Sequence, residues 1–164
     1  GKERRRALRP GLIEVSLDAY GWSGPWRGRR GFDSLVQMSS GIAERGMRRA
    51  GADRPVPLPV QALDHATGYL MAAAAIRGVT RRLETGAGSS ARASLARTAA
   101  LLASFPVAPE QPFAPRGPSD WSETVEETSW GPAHRLRPAC LVEGAPLRWD
   151  VPATALGSAG AGWG

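Results

Sequence analysis

The chain has 164 residues and a formal charge of +6, with 20 glycines, 14 prolines and one cysteine, Cys140. That length fits one ordinary domain with a core, and the single cysteine excludes an intrachain disulfide and suits a reducing compartment. No apolar run approaches the length of a membrane span, and GKERRRALRP lacks the apolar centre of a signal peptide, so a cytoplasmic protein is expected. Positive charge carried mainly by arginine suits anionic partners, although a solvated basic face explains it equally well.

In chain order, a basic cluster leads to Pro10-Gly11 and then to LIEVSLDAYG, whose apolar positions at Leu12, Ile13, Val15 and Leu17 predict a strand. A strand this early suggests that its partner strands are missing. Gly21 to Gly31 reads as a loop, and its Trp22, Trp26 and arginines could stack bases. One loop is a weak platform for a nucleic acid, and that partner is not expected. A helix is predicted from Asp33, capped by Asp33 or Ser34, with Leu35, Met38 and Ile42 inward and an end near Gly46. Residues 47–59 read as a connector.

The segment 57–84, PLPVQALDHATGYLMAAAAIRGVTRRLE, joins an extended lead-in to the clearest helix of the chain. Positions 69, 72, 76, 79 and 83 form a predicted buried stripe, and Gly86 or Gly88 suits the stop. Asp64 falls at or just before the helix start. Two readings compete there: an N-cap, which local pattern favours, and a functional carboxylate held at the positive end of the helix. Residues 87–91 predict a turn, 92–95 a short strand and 98–105 a small helix. Residues 106–118, with five prolines, predict an extended linker. Runs at 123–129, 136–142 and 147–151 predict a small antiparallel sheet or meander. The glycine-rich tail reads as a frayed end. The domain reading is therefore 1–105, a linker 106–118 and a β-rich segment 119–164. The fold class is a partial α/β or α+β domain, a strand and helical middle followed by that β-rich part.

His65, His134 and Cys140 do not have zinc-site spacing, and no metal is expected. There is no Gly-x-Ser-x-Gly elbow and no phosphate-binding glycine loop. His65 and Asp64 are helix neighbours that point apart, which argues against a dyad.

Three blocks, VSLDAYGWSGPWRGRRGFDSLVQMSSGIA (15–43), PLPVQALDHATGYLMAAAAIRGVTRR (57–82) and SARASLARTAALL (90–102), together resemble the family III CoA-transferases, the formyl-CoA and carnitine-CoA transferase type. The ending LRWDVPATALGSAGAGWG is similar to the family's C-terminal finish. The resemblance implies that Asp64 is the catalytic aspartate, a nucleophile passing through an aspartyl anhydride and an aspartyl-CoA thioester. It places Arg30 and Phe32 beside the CoA, the arginine for a phosphate and the ring for packing. Implied substrates are an acyl-CoA and a carboxylic acid acceptor, with coenzyme A thioester as substrate and no permanently bound cofactor. The racemase branch carries His-Asp where this chain has Phe32-Asp33, so transfer is expected rather than racemisation. Nothing matches the family's N-terminal CoA-binding domain, so a truncated chain is expected. A homodimer, or a complementing N-terminal chain, would then complete it. The alternative function is a non-catalytic fragment or subunit that needs such a chain.

Overall fold

A computed structural model describes residues 1–106 and 114–162. The chain forms two compact units, Gly1–Ala108 and Pro109–Gly164. The first unit runs α1 (Lys2–Leu8), β1 (Ile13–Asp18), α2 (Asp33–Ser39), α3 (Ile42–Ala50), α4 (Ala62–Thr85), β2 (Ser89–Ser94) and α5 (Leu95–Ser104). The second holds β3 (Trp121–Thr128) and β4 (Gly131–Leu136). This is a partial α/β domain followed by a small antiparallel β part.

β1 does have a partner. It pairs in parallel with β2, from Ile13 opposite Ser89 to Asp18 opposite Ser94. A parallel pair needs a long crossover, and here α2, α3 and α4 supply it. Ser89 to Ser94, spanning the end of the predicted turn at 87–91 and most of the predicted strand at 92–95, form one strand, and Leu95 already belongs to α5. Ser94 then caps α5, its Oγ accepting from the Arg97 N–H at 3.2 Å, so that helix starts earlier than the apolar spacing indicated.

The helix predicted over 33–46 is two. Gly41 takes a left-handed conformation, φ 83°, which breaks α2 from α3, and α3 continues past Gly46 to a stop at Gly51. Gly46 lies inside α3 because the following extended segment crosses there. A Cβ at Gly46 would meet the Val56 carbonyl oxygen at 2.1 Å, and the Val56 N–H bonds to Ala43 O at 2.9 Å.

α4 ends at Gly86, φ 70°, as predicted. Its buried side, however, is not the predicted stripe. Leu63, Thr67 and Gly78 are buried, whereas Tyr69, Ile76 and Leu83 are 66%, 67% and 81% exposed. At 100° per residue these two sets fall on nearly opposite sides of the helix. Close packing decides the difference: a Cβ on Gly78 would meet Ile13 Cγ2 and Ser89 Oγ, both at 2.6 Å. The helix therefore turns its small residues toward the β1–β2 pair.

The core of this unit is Val36, Ile42, Leu63, Leu95 and Ala99, with Ala19, Tyr20, Ala96 and Leu102 packed against it. Inside it the Thr98 hydroxyl donates to Ser94 O at 3.2 Å and lies 2.7 Å from the Thr67 hydroxyl. Arg45 fastens α3 to the end of α5 through Ala103 O at 2.7 Å.

In the second unit β3 and β4 form an antiparallel hairpin, with Glu126 opposite Ala133. Leu136 closes β4, but residues 137–142 and 147–151 are not strands, so the predicted antiparallel sheet is a two-stranded hairpin and not a meander. Pro138 removes a ladder donor from the first of those stretches, and Pro146 and Pro152 bound the second. Residues 107–113 of the predicted linker lie outside the described residues, while 114–117 carry no regular structure.

Candidate functional site

The turn after β1 begins the site. Asp18 Oδ1 accepts from the backbone N–H groups of Tyr20 and Gly21, each at 2.9 Å, which turns the chain out of the strand. The loop that follows carries its aromatics against arginines. Arg29 stacks over Trp26 at 4.7 Å, Arg92 over Trp22 at 5.1 Å, and Tyr20 meets Trp26 edge-on at 5.0 Å. The two tryptophans offered as base-stacking platforms thus each already carry a guanidinium.

The returning end of the loop forms an open concavity of about 280 Å³, walled by Asp18, Ala19 and the run Gly28 to Phe32. Arg30 and Phe32, singled out from the sequence, both line it, and Phe32 is 69% exposed. Gly31 is required where the loop passes over Tyr20, since a Cβ there would lie 2.9 Å from the ring.

Asp64 is not a cap. α4 begins at Ala62 after Gln61, so Asp64 is the third residue of its first turn, and its side chain is exposed. It is not among the residues walling the concavity. Its backbone N–H, one of the donors that a helix start leaves without an intrahelical partner, goes to Asp33 Oδ2 at 2.9 Å. Asp33 therefore does not cap its own helix either. The N-cap of α2 is Phe32, and the Asp33 carboxylate is turned inward, 2% exposed. Asp33 follows Phe32 directly, so the residue that bonds the Asp64 backbone adjoins the concavity wall. Sequence reasoning assigned Asp33 only a capping role, and nothing local marks its cross-helix bond.

Among the described residues no group of histidine, cysteine or acidic side chains could hold a metal ion, and no helix is long and apolar enough to cross a membrane.

The description CoA-transferase family III matches residues 1–127, and the chain belongs to that family. It is 31% identical over 86 residues to the probable fatty acyl-CoA transferase Rv3272 of Mycobacterium tuberculosis, a match covering 52% of this chain and 21% of that protein. It is 30% identical over 76 residues to the acetyl-coenzyme A transferase nodX of Hypoxylon pulicicidum, covering 46% of this chain and 13% of the relative. The crystal structure of Rv3272 in its orthorhombic form superposes with a TM-score of 0.56 at 29% identity, over 62% of this chain and 28% of that one. The chain thus spans about a fifth or less of the curated relatives it matches.

Proposed function

We propose that this chain carries the aspartate-bearing part of a CoA-transferase that moves CoA from an acyl-CoA thioester to a carboxylic acid, with Asp64 as nucleophile. The observation that carries the reading is an exposed carboxylate on the first turn of α4, inside the segment that matches the family. A helix start favours anionic groups through its unpaired N–H donors and dipole.

In the proposed sequence the Asp64 carboxylate attacks the thioester carbonyl, the C–S bond breaks and CoA leaves as thiolate, giving an acyl-aspartyl anhydride. The thiolate attacks the aspartyl carbonyl and releases the donor acid. The acceptor carboxylate then attacks the aspartyl-CoA thioester and expels the thiolate, forming a second anhydride. Attack of the thiolate on the acceptor's carbonyl yields the new CoA ester and restores Asp64. Arg30 would pair with a CoA phosphate and Phe32 would pack on its apolar part, both from the concavity wall. The substrates are an acyl-CoA and a carboxylic acid, with no permanently bound cofactor. The same reading places the chain in the cytoplasm, as a homodimer or with a complementing chain that supplies further CoA contacts.

The test is intact-protein mass spectrometry after incubation with a panel of acyl-CoAs and hydroxylamine, which traps activated carboxylates as hydroxamates. A hydroxamate on Asp64, absent from Asp64→Ala, is the expected result. A folded sample that forms no adduct with any acyl-CoA overturns the nucleophile reading for this chain.

A further inference from the structure

We infer that Asp33 and Gln37 are positioning residues that together hold Asp64 and the segment leading into it. Both are 2% exposed and stand one turn apart on α2, where side chains four residues apart meet. Asp33 Oδ1 accepts from Gln37 Nε2 at 2.5 Å, and its Oδ2 accepts from the Asp64 N–H at 2.9 Å. Gln37 continues the chain of bonds: Nε2 also donates to Val60 O at 3.1 Å, and Oε1 accepts from the Leu58 N–H at 2.7 Å.

Donors and acceptors are matched at every point. The Gln37 amide has its oxygen against a backbone N–H and its nitrogen against a backbone carbonyl, so its orientation is fixed by the 58–60 segment. Only an acceptor at position 33 can then meet Gln37 Nε2, and only an acceptor can meet the Asp64 N–H. A carboxylate satisfies both, and burying it is tolerable because both oxygens are bonded. The pair does not merely fill the core. It bonds backbone groups of Leu58, Val60 and Asp64, the stretch whose position fixes where the Asp64 carboxylate stands. A nucleophile displaced by about an ångström loses a large share of its rate.

The inference rests on the proposed role of Asp64, and its test separates the two. Asp33→Asn keeps the side-chain volume but brings one acceptor instead of two, so its amide nitrogen must face either Gln37 Nε2 or the Asp64 N–H. Gln37→Glu sets two carboxylates against each other and also leaves the Val60 carbonyl without its donor. The double variant Asp33→Asn/Gln37→Glu restores a donor–acceptor pair at that contact. Two readouts apply: hydroxamate formation on Asp64 at saturating acyl-CoA, and deuterium exchange of the Asp64 amide measured against the α5 amides.

Each single variant is expected to slow trapping by about 10- to 100-fold with little change in the half-saturating acyl-CoA concentration. Asp64 exchange should quicken while α5 is unchanged, and the double variant should recover part of both effects. Trapping and Asp64 exchange equal to wild type in Asp33→Asn would overturn the inference. So would a double variant that recovers neither effect relative to Gln37→Glu, which shares its lost bond to Val60 O. A wild-type chain that traps no hydroxamate removes the nucleophile reading. The exchange comparison then decides by itself whether Asp33 holds Asp64.

Discussion

Gly46 shows how much one missing side chain sets. Replacing glycine by alanine inside an exposed helix ordinarily gains about 1 kcal/mol. At Gly46 the added Cβ would run into the Val56 backbone carbonyl, which cannot swing away as a side chain can. Gly46→Ala is therefore expected to destabilise the chain by about 1–3 kcal/mol, read from chemical denaturation. A stabilised variant would show that the 53–60 segment does not cross α3 there. Glu126 offers a second residue-scale test. Arg135 Nε and Nη2 donate to its two oxygens at 2.5 and 2.7 Å, and this bonding holds the Glu126 carboxyl below its ordinary value of 4.5. The same contact raises Arg135 above its own ordinary value. A lowered carboxylate stabilises fully above its unfolded value and loses that contribution as the pH falls through the folded one. The β3–β4 hairpin should thus loosen on acidification below about pH 4.5, seen in the amide spectrum of Thr124–Arg135. Glu126→Gln should flatten that dependence.

At the scale of elements, α4 divides into a side that must stay small and a side that tolerates change. Leu63 is fully buried, and Leu63→Ala is expected to cost about 2–5 kcal/mol. Ile76→Glu and Leu83→Glu, on the exposed side, should each stay within about 0.5 kcal/mol of wild type. Thermal or urea unfolding of the three variants gives the comparison. Equal costs at 63 and 76 would mean that the helix is rotated from the orientation described. The contrast also explains a failed sequence expectation. Periodicity finds where large apolar residues align, but a helix laid on a strand pair with Gly78 at the contact buries the side that permits close approach. Helix ends were legible where chemistry is local, as at Gly86. The α2–α3 break was not, because the apolar spacing of Leu35, Met38 and Ile42 runs on through Ser40-Gly41, and only the left-handed turn at Gly41 divides it.

For the molecule as a whole, large apolar side chains stand in solvent while the buried apolar core of the first unit is small. Phe32, Leu35, Met38, Tyr69, Ile76 and Leu83 are all exposed, against six buried apolar residues among those described. Exposed apolar surface on this scale binds hydrophobic dyes and promotes association. The folded chain is expected to bind anilinonaphthalene sulfonate and to associate as its concentration rises. Ile76→Glu/Leu83→Glu should reduce both, as light scattering and dye fluorescence would record. A chain that stays monomeric and binds no dye would contradict the exposure of that side.

Legible in the amino-acid sequence were the family, the early strand, the long helix with its glycine stop, and the candidacy of Asp64, Arg30 and Phe32. Those features reside in local propensity and in ordered blocks of residues. Tertiary structure decided which side of α4 is buried, because only the β1–β2 pair demands small residues there. It also decided what holds Asp64. The Asp33 carboxylate lies 31 positions away in sequence, on another helix, and reaches a backbone N–H. A backbone N–H looks the same at every non-proline residue, so no pattern of side chains could have announced that bond.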